Sequence, residues 1–416
     1  MNHQRRILHK LLHCLHTKAS LHDMPQLSQS PTDPAFVQDP YPFYAAARAR
    51  GDLHFWKDYG MVAAFSHEAV QTLLKDRRFG REVPPERAQA VPDHLAPWQA
   101  VEAHSMLELE PPRHTRLRSL VLRAFTSRAI AALAADLEAL CHQLIDRFPD
   151  APFDLLDAYC TQVPVVTICR LLGVPEAMAP KLLDWSHAMV AMYQANRTRR
   201  TEEDAARASA DFTAFLRDYI EQRRADPRED LITRLIAAEE DGTRLDADEL
   251  IATCILLLNA GHEATVHALG NGVKTLLETG TGRDALQSDR IDRTVEEILR
   301  FDPPLHMFTR YAYEDATVLG HDFRRGDEVA LLLGAANRDP AIWPEAERFD
   351  PAREIRTNSA FGGGLHFCVG APLARLEMRI ALPILFDRCP GLHLAAPPAY
   401  SDSYHFHGLT ALMVET

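Results

Sequence analysis

From Pro34 onward apolar residues recur at helical spacing with few alternating runs, which predicts a mainly helical protein. Amphipathic helices are predicted near 127–148, 175–192, 202–224 and 230–239, and short strands near 61–65, 316–319 and 328–333. The strands are too few and too separated for an α/β sheet. Ser66 and Asp246 stand where helix N-caps are useful, and Glu249 follows Asp246 at capping-box spacing. The stretch 246–278 is unusual: it is long, ends at Gly280, and is apolar on almost every face between Ile251 and Leu258, the mark of a buried helix. Asn259, His262, Glu263 and Thr265 interrupt it, where an unpartnered carboxylate is costly. Glu263 is therefore either a functional acid or a structural carboxylate paired to a base elsewhere.

Composition excludes disorder and fibre, because 46% of the 416 residues are hydrophobic and 25% charged. With 58 acidic against 45 basic residues the net charge is -13, a poor whole-molecule match to nucleic acid or anionic lipid. The seven cysteines (Cys14, Cys141, Cys160, Cys169, Cys254, Cys368 and Cys389) form no C-x-x-C pair, and their odd number argues for a reducing cytoplasm over a secreted disulfide framework. Residues 1–32 read as an extension. In it Arg5, Arg6 and Lys10 surround Ile7, Leu8, Leu11, Leu12 and Leu15, interrupted too often for a signal-peptide core or stable membrane insertion. The extension is either a short surface-binding helix or dispensable, with Met24 as an alternative start.

The most informative segment is Phe361-Gly362-Gly363-Gly364-Leu365-His366-Phe367-Cys368-Val369-Gly370, followed by a predicted helix from Ala371 to about Leu382. Cys368 thus sits where a loop meets a helix N-terminus, whose free amides and positive dipole end favour a thiolate. Phe361-x-x-Gly364-x-x-x-Cys368-x-Gly370 resembles the haem-binding signature of the cytochromes P450. Glu297 and Arg300 resemble the Glu-x-x-Arg ion pair of that family, and Ala260-Gly261-His262-Glu263-Ala264-Thr265 its oxygen-binding helix segment. The resemblance covers about Asp33 to the C-terminus, and is to soluble bacterial members.

It implies a mainly α fold with small β-sheets in a single haem domain, residues 33–416, with haem b between the central helix and the cysteine-loop helix. Cys368 is then the iron ligand, and His114, Arg118, Arg310 and His366 the propionate contacts, with Phe361, Gly364 and Gly370 shaping the loop. Arg348 and Arg353 are candidates to complete the Glu297 and Arg300 cluster. A thiolate ligand favours O–O cleavage, so the implied activity is hydroxylation or epoxidation of a mainly apolar small molecule with O2. No flavin domain or Gly-x-Gly-x-x-Gly fingerprint is visible, so electrons are expected from a separate ferredoxin and ferredoxin reductase. Arg116, Arg123, Arg375 and Arg379 are candidates for the basic docking patch. The pocket lining is expected from Leu305, His306, Met307, Phe308, Tyr404, His405 and Phe406.

One departure stands out. Most of the family carry threonine directly after the helix acid, whereas this chain has Ala264 there and Thr265 one residue on, about 100° around the helix. Either a local distortion brings Thr265 in, or Glu263, water and a substrate oxygen form the relay; the alternatives are a peroxide-driven or non-hydroxylating member, or a haem sensor without turnover. His262 reads as a packing or hydrogen-bonding residue.

Overall fold

The longest element is the central helix Ala247–Thr279, and local chemistry fixes both its ends. Glu249 N–H donates to Asp246 Oδ1 at 2.8 Å and Asp246 N–H to Glu249 Oε2 at 3.1 Å, the reciprocal cap its sequence predicts. Gly280 closes it in the left-handed region, at φ 66°. The computed structural model describes residues 24–194, 197–240, 242–402 and 406–416, the side chains of Glu239 and Glu240 excepted.

Because the central helix is buried almost all round, other helices pack on several sides of it. These include Gln162–Leu172, the antiparallel pair Ala179–Val190 and Arg199–Ala225, and the helices Ile291–Phe301 and Ala371–Arg388. The predicted helix 127–148 is broken into Ser127–Ala131 and Ala134–Ile145, while that at 202–224 extends to Arg199–Ala225. Among the described residues no helix is long and apolar enough to cross a membrane.

The strands assemble into more sheet than their spacing suggested. Met61–Ala64 and Glu328–Leu332 pair in parallel at the centre of a six-stranded mixed sheet, with Met307–Ala312 antiparallel beyond. Pairing across more than 250 residues leaves no local trace in the sequence. Packing also corrects the expected pocket lining. His306 and Met307 turn away into the sheet's own core, where Tyr44 OH meets His306 Nδ1 at 2.9 Å and Met307 packs with Trp56. Phe308 sits on the opposite face. Tyr404 and His405 lie outside the described residues.

Candidate active site

The cysteine loop is held in one shape by glycines. Gly364 lies at φ 65°, and a Cβ there would fall 2.1 Å from the Leu74 carbonyl oxygen, so only glycine fits. The loop closes through Cys368 N–H, which donates to the Phe361 carbonyl at 3.1 Å, and Gly370 caps the helix Ala371–Arg388 that follows. Burial pushes the Cys368 thiol up, while the N–H groups of Gly370 and Ala371 and the charges of Arg118 and Arg375 favour the thiolate. The helix-head environment predicted for Cys368 is therefore present. A Cβ on Gly370 would sit 3.8 Å from the sulfur, in ordinary contact.

His114, Arg118, Arg310 and His366, spread over 253 positions of sequence, gather beside this loop. The rings of His114 and His366 are 4.4 Å apart, and Arg118 donates to the Phe367 carbonyl at 2.6 Å. Arg310 is almost wholly buried, with its guanidinium 6.0 Å from the Phe308 ring. Burial, and then the neighbouring Arg81, push Arg310 down to about 10. Burial, followed by the charges of His366 and Arg118, pushes His114 down to about 4, and its Nδ1 is buried without a hydrogen bond. Buried cations that depress one another and a buried ring nitrogen without a partner mark a place for an anionic group. The propionates of haem fit it.

Arg81, Glu108 and Glu110 belong to the same cluster and escaped the sequence reading. Arg81 donates to Glu108 Oε1 at 2.6 Å and its guanidinium is 5.8 Å from the Phe308 ring, while Glu110 Oε1 meets His366 Nε2 at 2.8 Å. The only sequence signal was Glu110 standing four residues before His114.

Glu297 and Arg300 form the expected pair, each 2% exposed at its side chain, and Arg353 Nε joins Glu297 at 3.2 Å. Arg348 contributes its carbonyl at 3.3 Å, whereas its side chain pairs with Glu345 and Asp350 instead. Three arginines of the proposed docking patch are likewise engaged in ion pairs. Arg375 is bound to Glu296, with one contact at 3.1 Å, and Arg379 meets Asp292 at 2.7 Å. Arg116 is paired with Glu249. Beside the cysteine loop lies an open recess lined by Arg118, Ser119, Leu122, Arg123 and Leu365.

On the central helix, Glu263 is buried among imidazoles with no Lys or Arg partner among the described residues. Its Oε1 is 3.2 Å from His187 Nε2 and 3.4 Å from His262 Nε2, and its Oε2 is 4.0 Å from His267 Nε2. Burial alone would raise this carboxyl, but the three histidines hold it below the usual carboxylate range. His187 and His267 were missed; His267 stands four residues after Glu263, one turn on. The helix is continuous through Ala264 and Thr265, and the Thr265 hydroxyl donates back to the Gly261 carbonyl at 3.4 Å. The distortion that would bring Thr265 into the alanine position is absent.

An oxidoreductase that incorporates oxygen at a haem bound through a cysteine thiolate is the class this arrangement defines. The chain matches the family model "Cytochrome P450" over residues 54–289 and 290–390, and it belongs to that family. It is 37% identical to the vitamin D(3) 25-hydroxylase of Pseudonocardia autotrophica over 389 residues, covering 91% of this chain and 94% of the relative. It is 36% identical to the cytochrome P450 monooxygenase PikC of Streptomyces venezuelae over 378 residues, covering 87% of each. The fold is similar to that of the solved structure of PksS, the cytochrome P450 of the bacillaene polyketide synthase of Bacillus subtilis 168. The TM-score is 0.84 at 31% identity, covering 93% of this chain and 99% of that one.

Proposed function

We propose that residues 33–416 form one haem domain, preceded by an extension, that hydroxylates or epoxidises a mainly apolar small molecule bearing one or two oxygen functions. The observation that carries this reading is the gathering of His114, Arg118, Arg310 and His366 beside Cys368. The relatives' names point the same way, since a vitamin D hydroxylase and a polyketide-pathway enzyme both act in the chemistry of largely apolar molecules.

Cys368 would hold the haem iron, and the cations Arg118 and Arg310 with the imidazoles of His114 and His366 its propionates, replacing with hydrogen bonds what their burial costs. When bound, haem supplies oxygen activation driven by its thiolate ligand. The chain's own part on the distal side is proton supply. Glu263, buried on the central helix beside three imidazoles, would relay protons, with water ordered by a substrate oxygen in place of the hydroxyl that Ala264 lacks. The missing hydroxyl is also the one feature that favours a peroxide-driven or non-hydroxylating enzyme. The distal carboxyl argues against a sensor, which has no use for a proton donor.

Electrons would come in the cytoplasm from a ferredoxin and its reductase. The docking surface is assigned to the recess beside the cysteine loop, because Leu122 and Phe367 are exposed apolar residues there beside Arg118. The carbon monoxide difference spectrum of the reduced protein tests the assignment. A thiolate-type band is expected in the native chain and not in Cys368→His, and its absence from the native chain overturns the reading. A ligand panel scored by the low-spin to high-spin shift then identifies the substrate class.

A further inference from the structure

We propose that His187, His262 and Glu263 form a site for one divalent transition-metal cation of the zinc class. Three potential ligand atoms, one from each residue, lie within 4.8 Å of one another. His262 Nδ1 is 2.7 Å from the Leu258 carbonyl, which can only accept, so that nitrogen carries the proton and Nε2 is left to face Glu263. His262 is 2% exposed, and both its Nε2 and Glu263 Oε1 are buried without a hydrogen bond. Facing a carboxylate oxygen, His262 Nε2 is served either by a second proton, as an imidazolium paired with Glu263, or by a metal ion held between them.

A metal ion serves all three. Bonds of about 2.0–2.1 Å in tetrahedral geometry place neighbouring ligand atoms about 3.3 Å apart, and the two nitrogen-to-oxygen separations here are 3.2 and 3.4 Å. The backbone carbonyl behind His262 is the kind of partner that orients a ligating imidazole. His187, whose side chain is 58% exposed, leaves the site open to solvent for entry and for a water as fourth ligand. Two imidazoles and a carboxylate suit zinc, cobalt or nickel better than magnesium or calcium, which prefer oxygen. Resting on the reading of Glu263 as proton donor, the consequence is that bound metal takes this carboxylate out of proton supply.

The test is zinc titration of the haem-bound, tag-free full chain by calorimetry, alongside His187→Ala and His187→Gln. The extension also carries His9, His13, Cys14 and His16, so the quantity read is the zinc equivalent that disappears in the variants. One equivalent lost, or weakened at least tenfold, in both variants supports the site, as does its removal by chelator. No saturable binding, or binding that survives unchanged in both, overturns it. Coupling of electrons to product, measured with and without zinc, separates the two claims. If one equivalent binds through His187 and coupling is unchanged, the metal site stands and Glu263 is not the proton donor.

Discussion

Arg300 holds Glu297 through two parallel bonds of 2.7 Å, and its remaining donors reach the carbonyls of Asn337 and Ala346 at 3.0 and 2.9 Å. One buried guanidinium thereby ties the helix Ile291–Phe301 to the irregular segment that leads into the cysteine loop. Removing the cation leaves Glu297 with Arg353 and the Asp350 N–H, at 3.2 and 2.9 Å. Arg300→Met is expected to cost about 3–5 kcal/mol, the usual range for breaking a buried ion pair. Lysine should not rescue it, because an ammonium cannot present the planar fork that meets five acceptors. Urea unfolding of the haem-bound protein measures both, and a loss below about 1 kcal/mol for Arg300→Met would show the pair to be dispensable.

Gly364 allows a sharper test of the loop. Alanine there meets both a left-handed backbone and the Leu74 carbonyl, a clash with main chain that no side-chain movement relieves. Gly364→Ala is expected to keep the helical circular dichroism of the fold yet lose the thiolate-type band with carbon monoxide. An unchanged band would mean that the loop geometry is not what positions the sulfur.

The sequence shows best what is decided within a few residues. Asp246 and Glu249 cap each other across three positions, and Gly280 ends the same helix; both were legible. That Glu249 also binds Arg116, 133 positions away, was not. The same division runs through the site. Cys368, Gly364 and the Glu297 and Arg300 pair declare themselves by spacing, whereas Arg81, His187 and the pairing of Arg375 with Glu296 depend on how distant elements pack. His306 failed for a related reason: it stands just before the strand Met307–Ala312, and the side it takes is settled by Tyr44, more than 260 positions away.

Arg375 illustrates the consequence for electron transfer. Its guanidinium is bound to Glu296 and lies 4.6 Å over the Phe361 ring, at the start of the cysteine loop. Arg375→Gln is therefore expected to perturb the thiolate spectrum and haem retention, with the salt dependence of reduction by a ferredoxin little changed. A flattened salt dependence with an intact spectrum would return this residue to the docking surface.

The two positions after Glu263 should respond differently from the family's usual threonine. Thr265 donates its hydroxyl back to the Gly261 carbonyl, so Thr265→Val, which keeps the shape and removes the donor, is expected to leave the electrons used per product unchanged. Ala264→Thr adds a hydroxyl where the proposed relay holds water and a substrate oxygen, and coupling should stay level or fall. A large gain in coupling from Ala264→Thr would show that the relay is simply incomplete.

Glu377 is one group that makes stability depend on pH. It lies wholly inside the core on the helix Ala371–Arg388, with neither carboxylate oxygen hydrogen-bonded, and burial raises its carboxyl well above the ordinary range. Above the unfolded value of about 4.3, the unfolded chain has released this proton while the folded chain still holds it. Stability from this group is therefore full below that value and falls as pH rises, by up to about 1.4 kcal/mol per pH unit, until the folded carboxyl ionises. Glu377→Gln carries no proton to release and keeps the shape. Unfolding free energies of the two proteins between pH 5 and 8 should thus diverge, the glutamine variant gaining relative to the native chain as pH rises. Parallel curves would show that the Glu377 carboxyl is ionised and partnered in the folded protein, contrary to its burial without a hydrogen bond.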